Sequence, residues 1–180
     1  DALAATYYEV AIGRPGAPLS EPWVDLDALL PLALIYAQRA GSQSRTDALL
    51  REFNSFTDLL FGAKGAAYKA NDLRRARAFH ITLGTLFAER GEWDNGVRGA
   101  IFQLEQMRQL SRLLTQETGK PVKDPPELLE QLVTGYRASG RTSQAMTLAR
   151  EVRDEYQRAG GPDDVARMDS VIAEIRLRPR

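Results

Sequence analysis

The stretch ITLGTLFAERGEWDNGVRGAI (residues 81–101) contains no histidine, cysteine or serine, yet its order of small and bulky residues decides the fold. A glycine follows Leu83, an aromatic residue stands three positions later at Phe87, and a second glycine comes at Gly91. The same order returns in QLVTGYRASGRTSQAMTLAR (residues 131–150). Two such stretches indicate a repeated structural unit.

Close packing of paired helices explains this order. Two antiparallel helices joined by a tight turn can touch only where small residues of one face bulky residues of the other. We expect small residues to leave this room at Gly84, Gly96, Ala145 and Ala149. We expect bulky residues to fill it at Leu83, Phe87, Leu132 and Tyr136. One hairpin cannot bury its apolar face alone, so neighbouring hairpins must stack.

Helical periodicity dominates the chain and predicts an all-α fold. Apolar residues recur every three or four positions, as at Ala145, Ala149 and Val152, and sustained alternation of period two is absent from the sequence. The predicted helices cover residues 2–12, 26–40, 45–61, 71–90, 94–117, 126–139, 142–159 and 163–176.

Glycines, prolines and capping residues predict where these helices begin and end. We expect Asp124 to cap a helix that opens on the two prolines after it, with Glu127 near the positive end of the helix dipole. Further helix starts are expected at Thr142 and Asp163. Glycine adopts the left-handed conformation at low cost, so we expect helices to stop at Gly41, Gly91, Gly119 and Gly140.

Three helix–turn–helix units, at residues 29–53, 80–104 and 128–152, can be laid over one another. Each has a leucine followed by a small or apolar residue, an aromatic residue three positions on, a turn glycine, and small residues in the second helix. This pattern resembles the tetratricopeptide repeat (TPR) family. The resemblance implies antiparallel hairpins stacked as a right-handed superhelix, closed by a C-terminal capping helix.

The resemblance predicts one domain over residues 1–180, and the match to the family pattern is degenerate. We expect an N-terminal helix and loop, three hairpins and a capping helix, at residues 1–25, 26–61, 71–117, 126–159 and 163–176. Regular repeats recur about every 34 residues, whereas these units begin roughly 50 residues apart. Gln103 stands where a small residue is expected, and Val133 is larger than the pattern prefers. HEAT-like and other stacks of helical hairpins fit the same spacing.

Composition excludes several classes of function. Lys+Arg and Asp+Glu number 24 each, and a dedicated nucleic-acid binder needs a surplus of cations. Cysteine is absent, so no disulfide or thiolate site can form. No apolar run approaches the ~20 residues that span a bilayer. The chain begins at Asp1, which indicates a processed product or an excised segment; the cytoplasm is slightly favoured as its compartment.

His80, the only histidine, is the one candidate for acid–base or metal chemistry. It shares a helical stripe with Ala76 and Leu83, so we favour a core position over a catalytic one. Catalytic and metal sites need convergent partners, and we predict no catalytic, metal or cofactor-binding residue. The segment GAKGAAY (residues 62–68) lacks the Gly-Lys-Ser/Thr order of a phosphate loop.

The run NDLRRARAFH (residues 71–80) could hold phosphates or an acidic partner. Its three arginines are Arg74, Arg75 and Arg77. We favour a solvated helix face over a binding patch. Trp23 and Trp93 stand beside turns, where aromatic plugs are favoured over binding anchors.

The TPR resemblance implies a concave groove lined by the first helix of each hairpin. Positions that map to it include Leu30, Leu34, Ala37, Ala78 and the predicted partner-binding residues Gln38, Ile81, Thr85, Glu89, Glu127, Glu130, Thr134 and Arg137. These do not form the lysine and asparagine pattern with which some family members clamp a terminal carboxylate. A groove with Glu89, Glu127 and Glu130 repels an acidic peptide and suits an apolar or basic one.

The resemblance therefore implies a non-catalytic scaffold or adaptor that binds a peptide or a partner protein, alone or within a larger assembly. No cofactor is expected, and nucleic acid is disfavoured as a partner. Two alternatives stay open at the level of sequence. One is binding of nucleic acid or an anionic ligand through Arg74, Arg75 and Arg77. The other is a regulatory domain of a larger enzyme or receptor.

Overall fold

All regular structure is helical in the part of the chain that the computed structural model describes, residues 70–177 together with Ser44, Asp47, Leu50 and Arg51. This confirms the all-α prediction for those residues. The five α-helices of residues 70–177 are α1 (Ala70–Glu89), α2 (Ala100–Thr118), α3 (Pro126–Ala138), α4 (Thr142–Ala159) and α5 (Pro162–Leu177). A short 3-10 helix, Gly96–Arg98, precedes α2.

The first predicted unit, residues 29–53, lies outside the described residues apart from four helical positions, Ser44, Asp47, Leu50 and Arg51. Leu50 is fully buried, and Arg98 Nε lies 2.9 Å from Asp47 Oδ1. The helix that carries these residues therefore contacts the segment just before α2. The predicted helices at 2–12 and 26–40 and the segment 62–68 also lie outside the described residues.

The predicted helix at 142–159 matches α4, and the observed bounds of α1, α3 and α5 differ from prediction by one residue at most at each end. The predicted helix at 94–117 begins too early, because α2 starts only at Ala100. Gly96 takes a left-handed φ of +55° and opens the short 3-10 helix instead of lying inside α2. Gly96 is exposed, and a Cβ there would meet nothing within 4 Å. The prediction that Gly96 makes room for packing was therefore wrong.

Helices α1 and α2 form an antiparallel hairpin. Arg77, early in α1, bonds to Ser111 late in α2, whereas His80 bonds to Gln103 near the start of α2. Gly84 is buried between them, and a Cβ at this position would lie 2.7 Å from Leu104 Cδ2. The predicted role of Gly84 as a close-packing residue is confirmed.

Helices α3 and α4 form a second antiparallel hairpin with a three-residue turn. Gly140 takes a φ of +72° in this turn, and Arg141 N donates to Tyr136 O at 2.8 Å, which closes the end of α3. Ala145 and Ala149 are completely buried. Both alanines therefore occupy the interior positions that their spacing predicts.

Asp124 does not cap α3 as predicted. The N-cap is Pro125, and no side chain bonds to the first turn. The Asp124 carboxylate instead accepts a hydrogen bond from Ser111 Oγ at 2.5 Å and one from Arg77 at 3.4 Å. Asp124 therefore ties the beginning of α3 to α1 and α2.

The second hairpin lies on the first with α3 parallel to α1. Arg77 of α1 pairs with Asp124 just before α3, and Asp94 after α1 pairs with Arg141 just after α3. Both pairs are separated by 47 residues along the chain. A constant separation at both ends of the helices means that they run in the same direction.

Helix α5 continues this arrangement beside α3. Arg167 pairs with Glu130, and Arg137 pairs with Glu174, both at a separation of 37 residues. Helix α5 is therefore parallel to α3. It buries a stripe of apolar residues against the core, Met168, Ile172 and Ile175, and its outward positions are largely polar. Helices α1, α3 and α5 thus share one direction.

Candidate functional site

A groove of about 500 Å³ runs beside the first halves of α3 and α5. We call it the α3–α5 groove. Its lining comes from these helices, the end of α4 and the connection between α1 and α2. The lining residues are Trp93, Glu127, Glu130, Gln131, Thr134, Tyr156, Asp164 and Arg167.

Arg167 organises one wall of the α3–α5 groove. Its guanidinium donates to Glu130 Oε1 at 2.9 Å and to Asp164 Oδ1 at 2.8 Å, and it lies 5.7 Å from the centre of the Tyr156 ring. The bonds to Glu130 and Asp164 raise the pKa of Arg167 above its usual range, so this cation persists at all working pH values.

Tyr156 completes this wall from α4. Its hydroxyl donates to Glu130, so Glu130 accepts hydrogen bonds from both Tyr156 and Arg167. Burial of the ring and the bond to Glu130 raise the pKa of Tyr156 to about 12. Tyr156 therefore stays protonated near neutral pH and acts as a donor within the wall.

Acidic side chains outnumber basic ones along the groove. Among the described residues, Glu127, Glu130 and Asp164 supply three carboxylates to the lining, and Arg167 supplies one guanidinium. Glu127 is exposed in the first turn of α3, and its side chain forms no ion pair with any described residue. The groove therefore carries an excess of negative charge that its own arginine does not neutralise.

Trp93 forms an aromatic wall that its backbone holds in place. Trp93 N donates to Gly91 O at 3.0 Å, and Trp93 O accepts from Ile101 N at 3.1 Å. A Cβ on Gly135 would lie 3.0 Å from the Trp93 ring, so the ring packs directly on α3. Trp93 is half-buried against the core and also lines the groove. It therefore covers the core with one part of its ring and exposes another part to the groove.

The groove contains three of the predicted partner-binding residues, Glu127, Glu130 and Thr134. Arg137 lies farther along α3, where it pairs with Glu174 of α5 at 2.6 Å. Three other predicted residues, on α1, do not line this groove: Ile81, Thr85 and Glu89. Ile81 packs partly against the core. Gln38 lies outside the described residues, as do Leu30, Leu34 and Ala37.

Several groove residues escaped the sequence analysis. Asp164 and Arg167 stand three positions apart on α5, which is the spacing of a helical ion pair and could have indicated their contact. Gly135 does not line the groove but packs against Trp93, and a glycine in the middle of a helical pattern, which costs helix propensity, could have indicated this contact. Gln131 carries no such signal. Its Oε1 is buried and accepts no hydrogen bond from any described residue.

His80 occupies the core, as the sequence analysis favoured. It is completely buried, and its Nδ1 lies 2.7 Å from Gln103 Oε1. Gln103 Nε2 donates to Val97 O, which leaves Oε1 as an acceptor and assigns the neutral proton of His80 to Nδ1. Burial lowers the pKa of His80 to about 4, so the ring is neutral near pH 7. Gln103, the residue that breaks the repeat pattern, is therefore the partner of the buried histidine.

The three arginines at the start of α1 do not form one exposed patch. Arg74 and Arg75 are exposed, but Arg77 is half-buried. Its guanidinium donates to Ser111 Oγ at 2.6 Å, to Lys123 O at 3.2 Å and to Asp124. Arg77 therefore joins α1 to the beginning of α3 instead of facing a ligand.

A second cleft, of about 220 Å³, lies along α2 and α4, and we call it the α2–α4 cleft. Its lining residues are Arg108, Tyr136, Ser143, Gln144, Thr147, Leu148 and Glu151. Arg108 bonds to both carboxylate oxygens of Glu151, at 2.6 and 2.9 Å. Tyr136 donates to Glu105 at 2.7 Å, and burial and this bond raise its pKa above the usual range. The charged groups of this cleft are thus largely occupied by one another.

The described residues contain no group of three or more His, Asp or Glu side chains that could hold a metal ion. Within the same residues, no helix combines the length and the apolar character needed to cross a membrane. No protein-family model, no curated protein and no solved structure matches the chain. The case for a function therefore depends on the chain's own geometry.

Proposed function

We propose that this chain is a non-catalytic protein–protein interaction scaffold that holds a peptide or a partner protein in the α3–α5 groove. The size and the aromatic lining of this groove are the main observations that support the proposal. Its volume of about 500 Å³ lies within the range of about 300–1,000 Å³ that is typical of small-molecule and cofactor pockets, so the groove has room for side chains of a partner. Trp93 and Tyr156 give it aromatic surface, the kind of residue that anchors partners at interfaces.

The proposal includes a TPR-like arrangement of the hairpins. Two antiparallel hairpins, a shared direction of α1, α3 and α5, and small residues at the helix contacts support it. In such an arrangement the first helices line the concave face, and the α3–α5 groove belongs to that face. The separation of 47 residues between α1 and α3 contacts exceeds the usual ~34. Long helices and the connections at 90–99 and 119–125 account for the difference.

The absence of catalysis is part of the proposal, and the position of His80 supports it. A general base must reach the proton that it abstracts. His80 is completely buried and bonded to Gln103, so a substrate in either described cleft does not reach its ring. The carboxylates Glu130 and Asp164 of the groove are bonded to Arg167, which suits a fixed surface better than proton transfer.

A matched pair of threonines tests which surface holds the partner. Thr134 lies in the α3–α5 groove and Thr147 in the α2–α4 cleft. Both are exposed, and each hydroxyl bonds at 3.0 Å to the carbonyl four residues earlier. Thr134→Arg and Thr147→Arg therefore add the same bulk and charge at equivalent helical positions.

The measurement is affinity capture from the native source, with bound proteins quantified by mass spectrometry. We expect the wild type and Thr147→Arg to retain the same partner and Thr134→Arg to lose it, provided that circular dichroism shows all three folded. Retention by Thr134→Arg together with loss by Thr147→Arg would assign binding to the α2–α4 cleft and refute the proposed groove.

A further inference from the structure

We infer that the occupant of the α3–α5 groove is a basic segment of a partner protein, with an arginine or lysine side chain lying against Trp93. This inference rests on the proposed function and names the chemistry of the partner. The first observation that supports it is the charge of the groove. The described residues of the lining supply three carboxylates and one guanidinium, so an acidic segment is repelled and a basic one is attracted.

The hydrogen-bonding groups of the groove point to the same partner. Glu127 has no ionic partner among the described residues, and Gln131 Oε1 has no donor among them. Both groups accept hydrogen bonds and cannot be satisfied by another carboxylate or carbonyl. A guanidinium or an ammonium group supplies several donors at once, so a basic side chain pairs with the exposed Glu127 carboxylate better than a neutral apolar one.

The chain's own Arg167 shows that this surface accommodates a guanidinium. It lies over the Tyr156 ring at 5.7 Å and bonds to two carboxylates, Glu130 and Asp164. Trp93 and Glu127 supply the same two kinds of group, an aromatic ring and a carboxylate, to the same groove. Indole is the aromatic side chain that attracts a cation most strongly, so the inferred side chain has a favourable surface there.

The groove is too large for a single ion and fits a peptide. A volume of about 500 Å³ exceeds that of one side chain and is open at its rim to a continuous chain. Thr134 lies farther along α3; its hydroxyl donates to Glu130 O, so its oxygen is left to accept a hydrogen bond from a peptide N–H. Because the inference rests on the proposed function, we assign the occupant to a protein segment, and competition by spermine tests the alternative of a free polyamine.

Fluorescence anisotropy with two labelled peptides tests the inference. One probe alternates arginine and serine, and its counterpart carries glutamate in place of each arginine. The arginine probe should bind and should weaken as ionic strength rises, whereas the glutamate probe should not bind. Glu127→Lys should weaken the arginine probe about tenfold or more. Glu127→Gln, which adds no positive charge to the first turn of α3, should weaken it less.

Glu117→Lys is the matched control, because Glu117 is exposed on α2 and does not line the groove. It makes the same charge change and should leave the affinity within about twofold. Equal loss from Glu127→Lys and Glu117→Lys would overturn the inference, because it shows that net charge alone attracts the probe. Equal competition by spermine at matched charge would overturn it too, in favour of a small polycation.

Failure of this inference is distinguishable from failure of the proposed function. A native partner that Thr134→Arg releases, but that the arginine probe does not displace, overturns the basic segment and leaves the scaffold. A native partner that Thr134→Arg still holds contradicts the scaffold's groove itself. Displacement of the native partner by the arginine probe, with no displacement by the glutamate probe, supports both.

Discussion

The two hairpins have the same pattern of small and bulky residues but fill their interiors differently. All three buried polar side chains of the described residues, His80, Gln103 and Ser111, lie in the α1–α2 hairpin. The interior of the α3–α4 hairpin is apolar except for the tyrosine hydroxyls, with residues such as Leu132 and Ala145 completely buried. Its charged groups lie outside, in ion pairs with α5 and α2.

This difference shows how one pattern yields two kinds of stability. An apolar interior tolerates small changes of register, whereas a buried histidine and glutamine must meet in one geometry. The pair fixes α1 on α2 and exposes that hairpin to large losses when either partner changes. The α3–α4 hairpin is the more robust of the two, and it carries most of the groove.

A fall in pH should produce the largest difference in stability between the two hairpins. The pKa of His80 is about 4 in the folded chain and about 6.5 unfolded, so folding favours the neutral ring. That stability is complete above pH 6.5 and is lost as the pH falls towards 4, by about 3 kcal/mol. We expect hydrogen exchange to show the amides of α1 and α2 losing protection before those of α4 and α5.

The matched control removes the titrating group. His80→Leu combined with Gln103→Leu should abolish the fall in the free energy of unfolding between pH 7 and 5.5, measured by urea denaturation. His80 is the only histidine, so no other side chain of ordinary pKa titrates there. If the free energy of unfolding of the double variant fell with pH as steeply as that of the wild type, the assignment to His80 would be contradicted.

Breaking the buried pair of His80 and Gln103 should give the next largest loss in the free energy of unfolding. Gln103→Leu removes the acceptor of His80 Nδ1 and the donor to Val97 O, at a cost of about 2 kcal/mol. Adding His80→Leu should recover part of that loss, because two apolar residues leave fewer buried groups unsatisfied. Urea denaturation at pH 7.5 measures both variants, and a double variant less stable than Gln103→Leu alone would refute the coupling.

A single methyl group should test close packing within the α1–α2 hairpin, at Gly84, and between the two hairpins, at Gly135. A Cβ at Gly84 meets Leu104 Cδ2 at 2.7 Å, and one at Gly135 meets Ile101 Cγ1 at 2.9 Å. We expect Gly84→Ala and Gly135→Ala to destabilise by about 1 kcal/mol each, since overpacking exceeds the gain in helix propensity. Thermal unfolding measures the effect.

Leu104→Ala provides the control for Gly84. Because it removes the atoms that the new methyl group meets, it should cost about 1 kcal/mol less in the Gly84→Ala background than in the wild type. Additive losses would show that Gly84 and Leu104 do not compete for the same space.

The outer ion pairs of the α3–α5 side should contribute least. Arg137 and Glu174 approach within 2.6 Å, but both side chains are at least a third exposed. A double-mutant cycle with alanine at each position should give a coupling below about 1 kcal/mol, falling with added salt. A salt-independent coupling would mean that the pair is shielded from solvent.

Local sequence signals predict the helices well. The repeat of apolar residues places α4 at 142–159, and Gly140 and Gly160 adopt the left-handed φ that ends α3 and α4. The contact of Gly84 with the partner helix was predicted because a glycine stands there among bulky apolar residues of the helix. These features depend on residues within a few turns of each other, so the sequence contains the required information.

Features that depend on distant residues could not be predicted in the same way. Asp124 has the sequence of a helix cap, but Ser111 and Arg77 compete successfully for its carboxylate. The pairing of Glu130 with Arg167 joins residues 37 positions apart, and no local pattern specifies it. The sequence therefore predicted Glu127, Glu130 and Thr134 on α3, but not Asp164 and Arg167, the two groove residues that α5 contributes.

Chemical-shift mapping tests the central claim most directly. The labelled chain is titrated with the arginine–serine probe, and the indole resonance of Trp93 is assigned with Trp93→Phe. We expect shifts at the Trp93 indole and at the amides of Glu127 and Thr134. Shifts confined to the α2–α4 cleft, at Ser143 and Thr147, with the Trp93 indole unmoved, would contradict it.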